Sequence, residues 1–151
     1  MNPVSTQQIQ ELRQDHIGRL LLRAYRQFAD TASQKLQARG HQISSSAIGL
    51  IAHIDLNGTR ASELAERAGI SKQAIGVLIT ELETAKYVQR QPDNTDGRAS
   101  IITFTEQGWG LLQDAYEIKK EIENNYESTL GKYRMGILRN ALRDLLEPDQ
   151  K

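Results

Sequence analysis

The stretch ASELAERAGISKQAIGVLITELE, from Ala61 to Glu83, constrains this chain more than any other. It reads as two short helices with a break at Gly69-Ile70-Ser71. Ala65, Gly69 and Ile75 have the spacing that a helix-turn-helix requires. A small residue at 65 lets the two helices approach. Glycine at 69 takes the left-handed conformation that ends the first helix. Ser71 caps the second helix, and Ile75 closes the shared core. Ile75, Leu78, Ile79 and Leu82 share one helix face and are assigned to that core. The opposite face carries Gln73, Gly76, Val77 and Thr80, with Ser71 and Lys72 at the tip.

That second face is nearly uncharged, which suits contact with base edges. Gln pairs bidentately with adenine, and Val or Thr touches a thymine methyl. Gly76 lets the backbone come close, at about 1 kcal/mol of helix propensity. Phosphate contacts would then come from elsewhere. The competing reading is an ordinary helical hairpin with Gln73 and Thr80 in solvent.

The remaining pattern is mainly α with a small antiparallel β-hairpin. Ile9, Leu12, His16, Ile17, Leu20, Leu21, Ala24 and Phe28 recur at helical steps, so residues 5–39 are expected to form one long amphipathic helix, broken at Gly40. SSSAIGLIAHI reads as a serine-capped short helix, and DLNGTR as a turn at Asn57-Gly58. YVQRQ and ASIITFT are strand-like, joined by the loop PDNTDGR. Thr105 caps a long helix, and a last helix ends at Pro148. With 151 residues, a single domain over 1–151 is expected. It divides into a winged helix-turn-helix lobe at 42–106 and flanking helices at 5–39 and 107–147.

Charge and composition narrow the functions. Nineteen basic residues balance nineteen acidic ones, so a polyanion must be met by a local patch. Residues 1–40 hold six Lys or Arg against three acids. No cysteine is present, which excludes disulfides, thiolate metal sites and thiol sensing. No apolar run approaches the roughly 20 residues of a membrane span, and the N-terminus lacks an apolar signal core, so a cytoplasmic protein without membrane contact is expected.

No phosphate loop, nucleophile elbow or His-Glu-x-x-His motif occurs, so no enzyme and no cofactor are expected. His16, His41 and His53 lack the spacing of a helical metal site. At the hairpin tip, Arg98 reads as a minor-groove side chain that Asp96 orients; a solvated Asp96-Gly97 turn is the alternative. Arg60 and Arg90 flank the hairpin, as phosphate contacts or as plain surface.

From Ala61 to Trp109 the chain resembles the MarR family of winged-helix transcription regulators. SELAERAGISKQAIGVLITELE matches the family's helix-turn-helix, DNTDGRA its wing, and FTEQG the exit from the wing. The resemblance implies a homodimer on pseudo-palindromic double-stranded DNA, with N- and C-terminal dimerisation helices, acting as a repressor. It also implies release by a small aromatic or phenolic ligand. That ligand's pocket would lie between the dimerisation helices and the DNA-binding lobe, with His16, Tyr25 and His53 as candidate lining. Three features depart from the family, one being the absence of the cysteine through which some members sense oxidants. Val77 and Glu81 stand where arginine is frequent, and Lys86 stands where glycine is usual. A left-handed Lys86 would cost about 1–2 kcal/mol. The alternative function is a winged helix that binds protein instead of DNA.

Overall fold

The computed structural model describes residues 5–93, 95–96 and 99–146; the side chains at 8, 11, 12, 14 and 15 lie outside that description. Leu12, Arg98 and Pro148 therefore have no structural account.

Seven helices and three strands follow one another among the described residues. They are α1 (Thr6–Asp15), α2 (Ile17–Ala38), α3 (Ser45–Ile51), β1 (Thr59–Arg60), α4 (Ala61–Ala68), α5 (Lys72–Thr84), β2 (Val88–Pro92), β3 (Ser100–Phe104), α6 (Glu106–Leu130) and α7 (Lys132–Leu146). The fold class is as expected, mainly helical with a small antiparallel sheet.

Two details differ from the sequence reading. The long first helix is two helices, divided at His16. That residue is extended (φ −77°, ψ 149°), and its Nδ1 accepts from the Arg19 amide at 3.3 Å, capping α2. Gly18 leaves room for the ring: a Cβ there would lie 3.3 Å from His16 Cε1. An apolar stripe runs through such a cap without registering it, because capping is a local hydrogen-bond choice.

The second difference is a third strand. Thr59 and Arg60 pair with Ile102 and Ile101, so the sheet order is β1-β3-β2. Two residues are too few to show strand alternation. Gly58, at φ +94°, makes the turn into β1. A side chain there would collide with Ile101 and Thr103, its Cβ 2.6 Å from one methyl and 2.8 Å from the other.

One continuous apolar core joins α2 through Leu36, α3 through Ala47 and Leu50, α4 through Leu64 and α5 through Ile75, Ile79 and Leu82. Ile102 and Phe104 of β3 and Leu111, Ile118 and Ile122 of α6 complete it. The first half of α2 stands outside this core, with Ile17, Leu20, Leu21, Leu22 and Tyr25 exposed. On α7 Met135 is buried, whereas Tyr133, Ile137, Leu138, Leu145 and Leu146 are exposed.

Candidate nucleic-acid interface

The helix-turn-helix forms as its residues demand. Gly69 is left-handed (φ 65°, ψ 29°) and ends α4, while the Ser71 hydroxyl accepts from the Ala74 amide at 3.2 Å and starts α5. Ile75, Ile79 and Leu82 are buried and Leu78 is half-buried. Gln73, Val77 and Thr80 are exposed on the other side, Val77 to 65%. The Thr80 hydroxyl donates to the Gly76 carbonyl at 2.9 Å. A shallow cleft of about 170 Å³ lies beside this face and brings Lys72, Gly76 and Arg90 together with Ala61, Ser62, Ile75 and Ile79. Three residues expected at one surface, two from α5 and one from β2, thus line one cleft.

The arginines differ in their freedom. Arg90, on β2, pairs with Glu83 on α5 (Nε to Oε2, 3.1 Å) and keeps 44% of its side chain exposed. Arg60 is turned toward the wing. Its Nε donates to Asp93 Oδ2 at 2.6 Å, and its terminal nitrogen donates to Thr95 Oγ1 at 2.9 Å. Asp93 is buried. Its other oxygen accepts from the Thr95 amide at 2.8 Å and the Thr95 hydroxyl at 2.7 Å. The two Thr95 bonds, and then Arg60, lower the Asp93 pKa from 3.8 to about 2.

Asp93 is the wing residue that the sequence reading missed. The Asp-x-Thr turn signature in PDNTDGR was available to find it. Asp96, expected to orient the wing, accepts from the Ala99 amide through its backbone carbonyl at 2.9 Å, and its side chain is exposed.

Two of the departures from the family pattern, Glu81 on α5 and Lys86 just after it, acquire a physical content. Glu81 reaches α3: its Oε1 accepts from the Ser44 amide at 2.6 Å and Oε2 from the Ser44 hydroxyl at 2.9 Å. Ser44 in turn caps α3 by accepting from the Ala47 amide at 3.1 Å. An arginine at 81 could not accept either bond. Lys86 is left-handed (φ 62°), and its carbonyl accepts from the Thr105 hydroxyl.

The suggested ligand residues are not gathered in one place. His16 caps α2, Tyr25 is 67% exposed further along that helix, and His53 follows α3 with its carbonyl accepting from Arg67 at 3.0 Å. None of the three lines the clefts found beside α5, between α1 and α2, or at the α6–α7 junction.

Residues 41–99 match the MarR family by sequence. No curated protein matches the chain. Among solved structures, the fold is similar to a MarR transcriptional regulator from Methanosarcina mazei Go1. The two are 24% identical, with a TM-score of 0.74, covering 87% of this chain and 94% of that one. Wild-type MarR from E. coli gives 16% identity and a TM-score of 0.75, covering 87% and 97%. The transcriptional regulator Tm0710 from Thermotoga maritima gives 23% and 0.63, covering 85% and 89%. At these identities the likeness concerns the fold. Residues 41–99 thus match the MarR family within a chain whose winged-helix fold is similar to that of solved MarR-family transcriptional regulators.

Proposed function

We propose that this protein is a transcriptional regulator, acting as a repressor, that binds a pseudo-palindromic operator as a homodimer. The lobe at 42–106 is the DNA reader, and the helices at 5–39 and 107–147 hold the two copies together. The observation that carries this reading is the free face of α5. Gln73, Val77 and Thr80 stand exposed there, with Lys72 and Arg90 across the adjoining cleft.

Ser71 and Lys72 would enter the major groove first, Gln73, Gly76, Val77 and Thr80 would meet base edges, and Arg90 would meet phosphate. Arg60 serves by holding the wing on Asp93, and Arg98 by reaching the flanking minor groove with Asp96 beside it. The apolar side chains left exposed on α2 and α7 support the dimer, since a single copy leaves them in water. Among the described residues no helix is long and apolar enough to cross a membrane, consistent with action in the cytoplasm. Release by a small aromatic or phenolic ligand rests on the family resemblance, with His16, Tyr25 and His53 as the residues to vary.

Footprinting of selected operator fragments tests the reading. Two protected half-sites about 10 base pairs apart, centre to centre, are expected. One isolated half-site would defeat the symmetric mode.

A second reading has its own observation. The α5 helix carries Lys72 against Glu81 and Glu83, Arg90 is paired with Glu83, and Val77 is an exposed apolar side chain at the centre of the face. Such a face also suits a protein partner. Retention on DNA-cellulose, lost at high salt, separates the two readings.

A further inference from the structure

Tyr87 sits where the reading lobe meets α6. Its amide donates to the Leu82 carbonyl at 2.9 Å, in the last turn of α5, and its carbonyl accepts from the Thr105 amide at 3.1 Å, at the cap of α6. Gly108 lets α6 come this close: a Cβ there would stand 2.0 Å from the Tyr87 carbonyl oxygen. The ring is buried, and its hydroxyl lies 2.9 Å from Nδ1 of His41. His41 Nε2 lies 2.9 Å from Asp114 Oδ2 on α6. The His41 amide donates to the Leu36 carbonyl at 3.0 Å, which ties it to the end of α2. Arg39 meets the other Asp114 oxygen at 2.6 Å and extends to Glu117 and Glu121 at 2.9 Å each.

A neutral imidazole satisfies every member of this chain, donating to the carboxylate and accepting from the phenol. One uninterrupted hydrogen-bond chain therefore crosses from the end of α5 to the middle of α6, with its imidazole anchored on α2.

We propose that Tyr87 and His41 are positioning residues, whose hydrogen-bond chain to Asp114 fixes the angle between the recognition helix and the long helix α6. Its value for operator binding rests on the DNA reading above; the geometry can be measured without DNA. The leverage is large. A helix of thirteen residues is about 20 Å long, so a tilt of about 5° at the Tyr87 joint moves the far tip by about 2 Å. Apolar contacts around Tyr87 resist separation of the elements, but they are non-directional. The polar chain adds a further directional tie to the two backbone bonds that Tyr87 makes to α5 and to the α6 cap.

The test uses the absence of native cysteine. Cysteines at Gln73 and Lys119 carry spin labels, and the labelled protein is diluted with unlabelled protein so that distances within one chain are read. The unsubstituted network should give a narrow distance distribution. Tyr87→Phe, which keeps the ring and removes only the hydroxyl, should broaden or shift it by about 2 Å. His41→Phe should do the same, and the double variant no more than either alone, because all three break one chain. His41→Gln, an amide that can both accept and donate, should restore the narrow distribution in part.

In unlabelled protein the two Phe variants should also weaken operator binding, by roughly threefold to tenfold. A narrow, unmoved distribution in folded Tyr87→Phe overturns the proposal. Broadening as expected in a protein that retains no DNA leaves the positioning role standing and instead removes the DNA reading.

Discussion

At the scale of single residues, Lys86 is the clearest case of local conformation set by its surroundings. It is left-handed because Tyr87 must return to α5 through its amide while the Lys86 carbonyl receives the Thr105 hydroxyl. A side chain in that region is disfavoured. Lys86→Gly should raise stability by about 1 kcal/mol, read as a higher denaturation midpoint at unchanged slope. Gln73 makes the opposite kind of prediction, since it supports nothing in the fold. Gln73→Ala should leave melting unchanged and relax preference at one base position by about 1–3 kcal/mol. Selection against a randomised half-site would show it; equal loss on every sequence would mean that Gln73 does not read bases.

At the scale of elements, the wing is held by a carboxylate rather than by sheet pairing alone. Asp93 gathers Thr95 and Arg60, and those bonds depress its pKa from 3.8 to about 2. A depressed acid stabilises the folded wing while it is ionised. The stabilisation is therefore complete above about pH 4 and is lost as pH falls toward about 2. Hydrogen exchange at β2 and β3 should accelerate across that window. In Asp93→Asn it should already be raised at pH 7 and show no such step. Arg98 belongs to the same element, although it lies outside the described residues. Arg98→Ala should weaken binding on all sequences alike and flatten the salt dependence by about 0.9 per phosphate contact, doubled in a symmetric dimer. Unchanged affinity and slope, with melting intact, would move the protein-binding reading ahead.

For the whole molecule, the decisive feature is the imbalance between the lobe at the centre of the chain and its ends. Apart from Leu56, Ile70 and Val77, which stand exposed, the central lobe buries or half-buries its large apolar residues within one chain. The ends do not: Ile17 is 68% exposed, and Tyr133 and Leu146 about 80%. A second copy covering those faces is the expected state. Sedimentation at micromolar concentration should report twice the 17.0 kDa chain mass. Replacing Leu138 by Glu should lower it to a monomer that still melts cooperatively. A stable monomer of the unsubstituted chain would refute the dimer, and with it the paired half-sites.

The local rules were legible without a structure. Gly69 ends α4, Ser71 and Thr105 cap their helices, and the apolar spacing on α5 chose its buried face, because each is decided by residues within one or two turns of chain. The wing strands were legible for the same reason. What only the tertiary structure decided depends on partners far apart in sequence. The strand β1 exists because β3 lies beside it, forty-odd residues on, and nothing in Thr59-Arg60 announces it. Arg60 turned to Asp93, and Glu81 to Ser44, because a charged side chain follows the nearest complementary group that folding delivers. The joint of Tyr87, His41 and Asp114 joins residues 46 and 73 positions from one another along the chain. Short-range sterics and hydrogen bonding write the elements into the sequence; the angles between them are written by contacts that exist only once the chain has folded.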